Sequence, residues 1–376
     1  MEKVSNYSKK NNKVKILFFI ESLGSGGKER RLVELIKGLS NDVNIELELV
    51  LTKKAIHYKD IYSTGIKIHF TIRKHFKKDP SVFFKFYKIA NTFRPDIIHV
   101  WGNMVAIYAI PTKLLLRIPL INNQITSAPL NVSTSLLGHK LPFYFSDKII
   151  ANTYAGLKSF SAPKHKSLVI YNGFDFDRIN NLQDKSSIIK KFNIQTKFIV
   201  GMVASFTDKK DYDTYIKAAN IVLEKENDIT FLCIGSGNYS PFEMMVKKEN
   251  KDRILFLGKQ DNVESIMNIC DIGILITNNE KHGEGISNAL LEFSALSKPL
   301  IATLGGGNSE IVEHEKSGYL INPKSPDELA LKILHLYNHE NDLRNFGEMS
   351  IEVVREKFSI SKMIEEFRSV YNKTLV

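Results

Sequence analysis

The segment Glu-Lys-His-Gly-Glu-Gly-Ile-Ser-Asn-Ala-Leu-Leu-Glu, residues 280–292, follows a short apolar run at residues 272–276 and leads into a helical pattern. An apolar run, a glycine-containing loop and a helix start in this order are typical of a parallel β-sheet with crossover helices. The N-terminus of a helix in such a loop presents free N–H groups that suit a phosphate. This stretch therefore predicts an α/β fold with a ligand-binding loop.

The same order of elements recurs through the rest of the chain. Short apolar runs predict strands at residues 15–20, 45–51, 66–70, 96–100, 120–123, 148–151 and 167–171, and again at 198–204, 230–235, 254–257, 272–276, 300–302 and 318–321. Amphipathic stretches between the strands, including residues 29–39 and 81–93, predict helices. We therefore predict two Rossmann-like, doubly wound α/β domains that face each other across a cleft.

The length of 376 residues also fits two domains. A polar stretch before the second set of strands is the predicted hinge. The resulting ranges are 1–178 for the first domain, 172–184 for the hinge, 179–360 for the second domain and 361–376 for a C-terminal helix. That helix is expected to pack back across the junction, because Met363, Phe367 and Tyr371 share one helical face.

The composition indicates a globular protein of a reducing compartment. Apolar residues make up 43% of the chain and charged residues 25%, which argues against disorder. Cys233 and Cys270 are too few for a disulfide framework or a cysteine-rich zinc site. The longest candidate membrane stretch, residues 104–121, is interrupted by Pro111 and Lys113, so we expect a cytoplasmic protein without a spanning segment.

Positive charge is concentrated in the first half of the chain. Residues 1–180 contain 28 Lys and Arg against 13 Asp and Glu, whereas residues 181–376 contain 24 against 28. This asymmetry favours a first domain that meets an anionic surface, such as phospholipid on the inner face of the cell membrane. A lysine-rich bias of the whole proteome is the alternative. Nucleic acid is not an expected partner, because the sequence has no helix-turn-helix, RNP or zinc-finger pattern.

Three further strand-to-helix loops carry candidate ligand contacts, because ligands of open α/β sheets bind at the carboxyl ends of the strands. In the first loop, Gly26 and Gly27 permit either close approach to a ligand or a tight structural turn. This loop is not a P-loop, because Lys28 is followed by Glu29 rather than by Ser or Thr.

The second and third loops leave similar alternatives. Lys210 precedes a predicted helix and either holds a diphosphate by charge and hydrogen bond or is an ordinary solvated lysine. Residues 304–310 contain three successive glycines before a helix start, which serve a phosphate contact or an unusual backbone turn equally well.

Two glutamates lie eight positions apart in the opening segment. Glu284 is expected in the loop, and Glu292 inside the helix that starts near Ser287. A carboxylate at either position can accept hydrogen bonds from sugar or ribose hydroxyls, or both can be ordinary helix glutamates. Glu292 lies between apolar neighbours and needs a partner if it is buried.

Taken together, these motifs resemble one protein family over nearly the whole chain, and more specifically in its second half. They are Gly26-Gly27, the Lys210 loop, Glu284 to Glu292 with Glu-x7-Glu spacing, Lys298-Pro299, Gly306-Gly307-Asn308-Ser309-Glu310 and Ser317-Gly318. Their order and spacing are similar to those of the retaining GT-B fold glycosyltransferases of family 4, also described as glycosyl transferases group 1.

The resemblance implies a hexosyltransferase that moves a sugar from a nucleotide-diphosphate sugar, with UDP-sugar favoured, to a hydroxyl of a glycan or lipid-linked acceptor. It implies retention of the anomeric configuration and a place in bacterial cell-surface polysaccharide biosynthesis. The first domain would bind the acceptor and the second the nucleotide sugar. A nucleotide-sugar epimerase of the same architecture and a non-catalytic sugar-nucleotide-binding protein are the alternatives.

The resemblance also implies roles for individual residues. Glu284 and Lys210 are the catalytic candidates, on the transferred sugar and the departing diphosphate, and Glu292 would bind the ribose hydroxyls. The donor-binding set is Ser205, Lys210, Gly258, Gln260, Glu284, Gly285, Ile286, Ser287, Asn288, Ala289 and Glu292. The acceptor-side set is Gly26, Gly27, His99, Trp101 and Gln124.

The chain departs from the family pattern at two places. Ala204-Ser205-Phe206 stands where Gly-Arg-Leu is common, so neutralisation of the diphosphate is expected to depend more heavily on Lys210. Residues 122–126 read Asn-Asn-Gln-Ile-Thr where many relatives have a histidine, so no catalytic histidine is assigned. His99 is either an acceptor-side residue or a packed residue at a strand end.

Asp175-Phe176-Asp177 is similar to the Asp-x-Asp metal motif of the other glycosyltransferase fold. That motif closes a strand inside a single domain and holds a divalent cation on the diphosphate. Here the two aspartates open the hinge. We therefore expect no cofactor and no required metal, with Lys210 and helix N-termini meeting the charge of the diphosphate.

Overall fold

The computed structural model describes residues 13–73, 79–129 and 136–375 of the chain. These residues form two α/β domains, each built on one parallel sheet. Residues 1–12 and residue 376, which the predicted domain ranges include, lie outside the described residues. The prediction of two Rossmann-like, doubly wound domains is confirmed.

The first sheet has seven strands. They are β1 (Val14–Ile20), β2 (Ile45–Leu51), β3 (Lys67–Phe70), β4 (Ile97–Trp101), β5 (Leu120–Ile125), β6 (Lys148–Ala151) and β7 (Ser167–Val169). Their spatial order is β3-β2-β1-β4-β5-β6-β7, and all neighbours run parallel. The order reverses between β1 and β4, and the loops after these two strands therefore flank the position where ligands of such sheets bind.

The second sheet repeats this arrangement with six strands. They are β8 (Phe198–Val203), β9 (Ile229–Ile234), β10 (Ile254–Gly258), β11 (Ile272–Leu275), β12 (Leu300–Thr303) and β13 (Gly318–Ile321). Their spatial order is β10-β9-β8-β11-β12-β13. The reversal lies between β8 and β11, whose following loops carry Lys210 and Glu284. Every strand predicted from the sequence has a counterpart in these two sheets, and the ends differ by two residues at most.

Helices cover both faces of the sheets. They are α1 (Gly27–Ser40), α2 (Ser81–Phe93), α3 (Asn103–Leu116), α4 (Leu136–Phe145), α5 (Tyr154–Ser159), α6 (Lys185–Lys191), α7 (Tyr212–Leu223), α8 (Ser240–Glu243), α9 (Val263–Ile269), α10 (Asn288–Ala295), α11 (Asn308–Ile311), α12 (Pro326–Asn338), α13 (Glu340–Lys357) and α14 (Ile360–Leu375). Within the described ranges, none of them has both the length and the apolar character that crossing a bilayer requires.

Two apolar layers cover the faces of the first sheet. α1 and α14 pack on one face, and α2 and α3 pack on the other. In α14, Met363, Phe367, Val370 and Tyr371 are buried. Burial of a large apolar side chain contributes about 1.5–3 kcal/mol. The C-terminal helix therefore belongs to the core of the first domain, although it follows the second domain in the sequence.

The chain passes between the domains at two places. The first crossing follows β7 around Phe174, and the second joins α13 to α14. The N–H of Phe174 donates to the carbonyl of Phe358 at 2.7 Å, and the N–H of Ile360 donates to the carbonyl of Phe174 at 3.1 Å. The two crossings therefore lie side by side. The domain boundaries assigned from the sequence stay a prediction.

Candidate active site

A cavity of about 800 Å³ lies between the carboxyl ends of the two sheets. Its volume is in the range of pockets that bind small molecules and cofactors. Both domains line it. The predicted site residues in its lining are Gly27, Ser205, Lys210, Gln260, Glu284, Ile286, Ser287, Asn288, Ala289 and Glu292. The side chains at 210, 284 and 292 therefore share one pocket.

Glu284 lies in the loop between β11 and α10, with only 8% of its surface exposed. Its Oε1 accepts the hydroxyl of Thr277 at 3.2 Å and the ammonium of Lys210, and its Oε2 lies 3.7 Å from Nε2 of His282. Burial alone would raise the pKa of Glu284, but the charge of Lys210 and the hydrogen bond from His282 outweigh burial and lower the pKa to about 2. Glu284 is therefore ionised at neutral pH and can accept hydrogen bonds from hydroxyl groups.

Lys210 reaches Glu284 from the loop that follows β8. The loop is fixed locally, because the N–H of Lys210 donates to the carbonyl of Thr207 at 3.0 Å. The next residue, Asp211, caps α7 by accepting the N–H of Thr214 at 3.0 Å. The loop thus holds an ammonium at the cavity wall, where an anionic ligand can share it with Glu284.

α10 begins at the same cavity wall. Ser287 is its N-cap, and the hydroxyl accepts the N–H of Leu290 at 3.5 Å. Asn288 and Ala289, in the first turn, line the cavity. The free N–H groups and the dipole of this turn make it an electropositive surface. Together with Lys210, this surface can bind a diphosphate.

Glu292 lies inside α10 with 6% of its surface exposed, and its cationic partners come from outside the second sheet. Nη1 of Arg30, from α1, and Nη2 of Arg178, from the first crossing, each donate to Oε1 of Glu292 at 2.8 Å. Arg178 also pairs with Glu264 of α9. Burial would lower the pKa of Arg178, but Glu292 and Glu264 raise it overall. The partner that a buried Glu292 requires is therefore present.

The Glu284 loop is pressed directly against the first domain. The N–H of Ala128 donates to the carbonyl of Gly283 at 3.0 Å. A Cβ at Gly283 would lie 1.7 Å from the carbonyl oxygen of Ala128, and a Cβ at Gly285 would lie 2.4 Å from that of Thr126. Both positions therefore require glycine because the two backbones approach so closely. We call this contact between residues 283–285 and 126–128 the interdomain seam.

Gly26 and Gly27 open α1 at the cleft. Gly26 is the N-cap of α1, and its carbonyl accepts the hydroxyl of Tyr58 at 3.2 Å. A Cβ at Gly27 would lie 2.9 Å from Nδ2 of Asn288, in the donor loop of the other domain. The acceptor-side glycine loop and the start of α10 are therefore neighbours across the cleft.

Of the other predicted residues, Gln260 belongs to the cavity lining, whereas Gly258 and Gln124 do not. Gly258 ends β10 with a φ of 62°, a conformation that favours glycine. Gln260 lines the cavity, and its Nε2 donates to the carbonyl of Leu257 at 2.5 Å. Gln124 lies outside the cavity lining, and its Nε2 donates to the carbonyl of His139 at 3.3 Å.

His99 and Trp101 do not reach the cleft. Both side chains are fully buried under α14, where Nδ1 of His99 pairs with the hydroxyl of Tyr371 at 2.9 Å. The guanidinium of Arg31 lies 5.4 Å from the ring of Trp101. Burial and the charge of Arg31 hold the pKa of His99 well below its usual range. The structure thus contradicts direct acceptor contact by these side chains and makes them packed residues of a strand end.

Asp175 and Asp177 serve the local structure of the hinge. Oδ1 of Asp175 accepts the N–H of Asp177 at 3.1 Å and caps the 3₁₀ turn Phe176–Ile179. Oδ1 of Asp177 accepts Nδ2 of Asn180 at 3.1 Å. Across residues 13–73, 79–129 and 136–375, no three His, Cys, Asp or Glu side chains are grouped to hold a metal ion. The expectation that no metal is required stays a prediction.

Three charged residues of the site had no role assigned from the sequence. Arg30 lies in the predicted helix 29–39, His282 in the quoted segment 280–292, and Arg178 in the predicted hinge. The available signal was the apolar surroundings of Glu292, which require a cation if that carboxylate is buried. The sequence does not say which of its 52 Lys and Arg supplies it.

Two family models match the chain, one in each domain. Residues 25–178 match Glycosyltransferase Family 4, and residues 184–353 match Glycosyl transferases group 1. The first match includes the first crossing at Phe174, and the second begins beyond it. Together they cover every strand of the two sheets except β1, and the loops that carry Gly27, Lys210 and Glu284.

Curated relatives and solved structures give the same result. The chain is 26% identical to N-acetyl-alpha-D-glucosaminyl L-malate synthase of Bacillus anthracis over 341 residues, and this match covers 85% of each protein. It is 28% identical over 212 residues to poly(ribitol-phosphate) alpha-N-acetylglucosaminyltransferase of Staphylococcus aureus, which covers 54% of this chain and 42% of that protein. The fold matches that of HepE from Anabaena, solved with UDP and glucose, with a TM-score of 0.82 at 20% identity over 96% of this chain and 99% of the other. This chain thus carries a Glycosyltransferase Family 4 domain and a Glycosyl transferases group 1 domain on a GT-B fold.

Proposed function

We propose that this protein transfers a sugar from a UDP-sugar to a hydroxyl of a glycan or lipid-linked acceptor, with retention of the anomeric configuration. We place this reaction in bacterial cell-surface polysaccharide biosynthesis. The observation that carries the proposal is the shared cavity of Lys210, Glu284, Glu292 and the start of α10. Each of these groups has a chemical counterpart in a nucleotide-diphosphate sugar.

In this proposal the second domain binds the donor. The diphosphate lies against Lys210 and the first turn of α10, the ribose hydroxyls meet Glu292, and the transferred sugar meets Glu284. The burial and ionisation of Glu284 support this role, because a carboxylate with a pKa of about 2 is a permanent hydrogen-bond acceptor. HepE shares this fold and was solved with UDP, so UDP-sugars are the first donors to test.

Catalysis then depends on where charge develops. As the anomeric bond breaks, negative charge builds on the departing diphosphate, and fixed positive groups stabilise that charge more strongly than they stabilise the bound donor. Lys210 and the N–H groups of α10 are such groups, because both are positioned before the ligand arrives. Contact at the interdomain seam excludes water from the activated sugar. The retaining outcome is taken from the family resemblance.

The acceptor side of the proposal rests on the first domain and on the named relatives. The Staphylococcus aureus relative acts, by its name, on poly(ribitol-phosphate), an anionic polymer. The first half of our chain has 28 cationic against 13 acidic residues, which suits an anionic acceptor or an anionic membrane. We therefore propose that the acceptor is a cell-surface glycan or its lipid-linked precursor.

The decisive experiment is an assay of the purified chain with UDP-, GDP- and ADP-sugars, each with and without glycan and lipid-linked acceptors. Transfer that requires an acceptor supports the proposal, and the anomeric configuration of the product is read by NMR. Conversion of the nucleotide sugar without an acceptor would make the chain an epimerase. Donor binding without turnover in all arms would make it a binding protein.

We also propose that transfer requires no metal and no cofactor. Lys210 and the start of α10 meet the diphosphate charge in this proposal, and the two hinge aspartates are occupied in local hydrogen bonds. The assay with and without EDTA tests this. Loss of transfer with EDTA and its recovery with Mg²⁺ or Mn²⁺ would overturn it.

We also propose that this protein is a cytoplasmic enzyme that attaches reversibly to an anionic membrane, and side chains at the ends of α3 and α4 suit such attachment. Leu115 and Tyr144 are 71% and 78% exposed. Lys113 of α3 pairs with Asp147, just after α4, at 2.6 Å, so the two helix ends adjoin, and the exposed Arg117 lies beside them. Apolar and cationic side chains together suit an anionic bilayer surface. Co-sedimentation with anionic and neutral liposomes at low and high salt tests this, and binding that ignores both variables would contradict it.

A further inference from the structure

Arg30 joins the first domain to the carboxylate that the proposed function assigns to the donor ribose. Its Nη1 lies 2.8 Å from Oε1 of Glu292, although the two residues are 262 positions apart. The guanidinium is itself held in place, because it lies 5.7 Å from the ring centroid of Tyr58 in the first domain. The contact is therefore a preorganised bridge between the domains.

The bridge occupies only one side of Glu292. Arg30 and Arg178 both donate to Oε1, and within the described part of the chain no hydrogen bond ends on Oε2. The cavity of about 800 Å³ is measured with the bridge formed and has Arg30, Arg178 and Glu292 in its wall. The cavity therefore keeps this volume while Arg30 is bound to Glu292, and the inference takes Oε2 as the acceptor of the ribose hydroxyl.

The other direct ties near the cleft involve different chemistry. At the interdomain seam, the backbone of Ala128 bonds the carbonyl of Gly283 at 3.0 Å. The carboxylate of Glu310 accepts the N–H groups of Tyr154 and Ala155 at 3.1 and 2.9 Å. Neither of these two ties ends on a group that the proposed function assigns to the donor. Nδ2 of Asn172, beside the first crossing, does reach the donor loop, where it donates to the carbonyl of Ile286 at 3.3 Å. The Arg30 bridge differs, because its partner is the ribose carboxylate itself.

We propose that Arg30 is a positioning residue that couples donor binding to closure of the two domains through Glu292. This inference rests on the proposed function, because it takes Glu292 as the ribose contact. A ligand shifts a conformational equilibrium only by its difference in affinity for the two states. The closed state presents Glu292 with both guanidiniums in place, and so binds the nucleoside better than the open state. By reciprocity, a bound nucleoside diphosphate favours closure by the same factor.

The test uses UDP as the probe, with binding measured by calorimetry and closure by small-angle X-ray scattering. We expect Arg30→Ala to weaken UDP binding by about tenfold or more, the effect of losing a charge-assisted hydrogen bond. Arg30→Ala should also abolish the decrease in radius of gyration that UDP causes in the wild type. Arg30→Lys should restore part of both effects, because it keeps the charge and loses the planar fork. In kinetics, the donor KM should rise while kcat at saturating donor changes by less.

Two controls make the result specific. Arg368→Ala removes a guanidinium that pairs with Asp42 at 3.0 Å in the first domain, away from the cleft, and should leave UDP binding unchanged. The double variant Arg30→Ala with Glu292→Gln should bind UDP no more weakly than Glu292→Gln alone, because Arg30 acts through Glu292.

The outcomes separate this inference from the proposed function. If the wild type binds none of UDP, GDP and ADP, the proposed function is overturned, and the inference falls with it. If the wild type binds UDP but Arg30→Ala binds it equally well, or if the losses in the double variant are additive, the inference alone is overturned. A radius of gyration that decreases with UDP in Arg30→Ala also overturns it.

Discussion

Glu284 and Glu292 are chemically identical carboxylates at two ends of one cavity, and they differ in the origin of their cations. Glu284 is paired with Lys210, and both belong to the second domain. Glu292 is paired with Arg30 of the first domain and Arg178 of the first crossing. The Lys210–Glu284 pair, at the proposed sugar end of the cavity, is therefore formed within one domain and persists when the domains separate. The set of charges around Glu292, at the proposed ribose end, is complete only when the domains are together.

The largest expected effect comes from breaking the Lys210–Glu284 pair. Lys210→Ala removes the ammonium to which the proposed function assigns the departing diphosphate, and it leaves a buried carboxylate without its cation. We expect transfer to fall by more than about 10²-fold, the usual effect of losing a group that acts in the transition state. The measurement is kcat for transfer from the UDP-sugar identified in the donor panel.

The matched control is Lys209→Ala, which removes an exposed ammonium at the adjacent position. It should retain the wild-type rate within about twofold, in line with the small effects of most surface substitutions. Unchanged kcat in Lys210→Ala would show that the sugar end of the cavity does not act through this cation.

A substitution at the interdomain seam distinguishes the two ends of the cavity in a second way. A Cβ at Gly283 would lie 1.7 Å from the carbonyl of Ala128, so Gly283→Ala forces the domains apart. The Lys210–Glu284 pair stays intact because it lies within the second domain. We expect transfer to fall by roughly tenfold or more, since misplacement of about 1 Å in an active site costs up to about 10²-fold.

Scattering should show an increased radius of gyration for Gly283→Ala, whereas Gly138→Ala, at a position with open space around it, should match the wild type. The loss of UDP affinity in Gly283→Ala should be no larger than the loss in Arg30→Ala. Full transfer activity in Gly283→Ala would show that closure at the seam is not required.

A smaller effect is expected from the hydroxyl that supports Glu284 within its own domain. Oγ1 of Thr277 donates to Oε1 of Glu284 at 3.2 Å. Thr277→Val keeps the shape and removes this donor, and we expect kcat to fall by about three- to tenfold, because Lys210 and His282 still hold the carboxylate. Thr277→Ser should recover the rate, and a loss that serine does not recover would assign the effect to packing instead.

The smallest expected effect concerns stability at the ribose end. Glu34 lies one turn after Arg30 on α1 and lines the same cavity. Burial raises the pKa of Glu34 to about 7, and the charges of Arg30 and Arg178 offset only part of that rise. The ordinary value is 4.5. As pH rises from 4.5 to 7, the unfolded chain releases this proton before the folded chain does, so the free energy of unfolding falls across this window.

Urea unfolding at pH 5 and pH 8 measures this difference. The wild type should lose on the order of 1–3 kcal/mol more than Glu34→Gln between the two pH values. Equal losses in both proteins would show that Glu34 is ionised in the folded chain throughout this range. In that case the charge would stay constant near neutral pH at both the Glu284 end and the Glu292 end of the cavity.

The strands were predictable because they depend on local apolar runs. Strands β2, β6 and β13 match their predicted ranges at both ends, and the position of Glu284 in a loop and Glu292 in a helix followed from the same pattern. The charged residues with which the second domain lines the cavity were also predictable from the sequence, because motif residues such as Lys210 lie next to predicted helix starts.

The pairing between domains was not predictable from these local signals. Arg30 meets Glu292 over 262 positions, and no periodicity carries information over that separation. In the sequence, Gly283 and Gly285 belong to a strand-to-helix loop, and the resemblance implied donor binding for Gly285, but the sequence does not show that a backbone from the other domain requires both glycines. The sequence left His99 open between an acceptor contact and a packed strand end for a related reason: a strand end usually faces the cleft, but here α14 returns from the far end of the chain to cover it.

The paired crossings at Phe174 and Phe358 restrict how the domains can move. Two covalent connections that lie side by side and hydrogen-bond each other form a hinge, because twisting or sliding of the domains would stretch one connection relative to the other. The motion that this arrangement permits is a rotation of the domains about the line through Phe174 and Phe358. Such a rotation would bring the same residues of the two domains, Arg30 and Glu292 among them, back into contact each time the cleft closes.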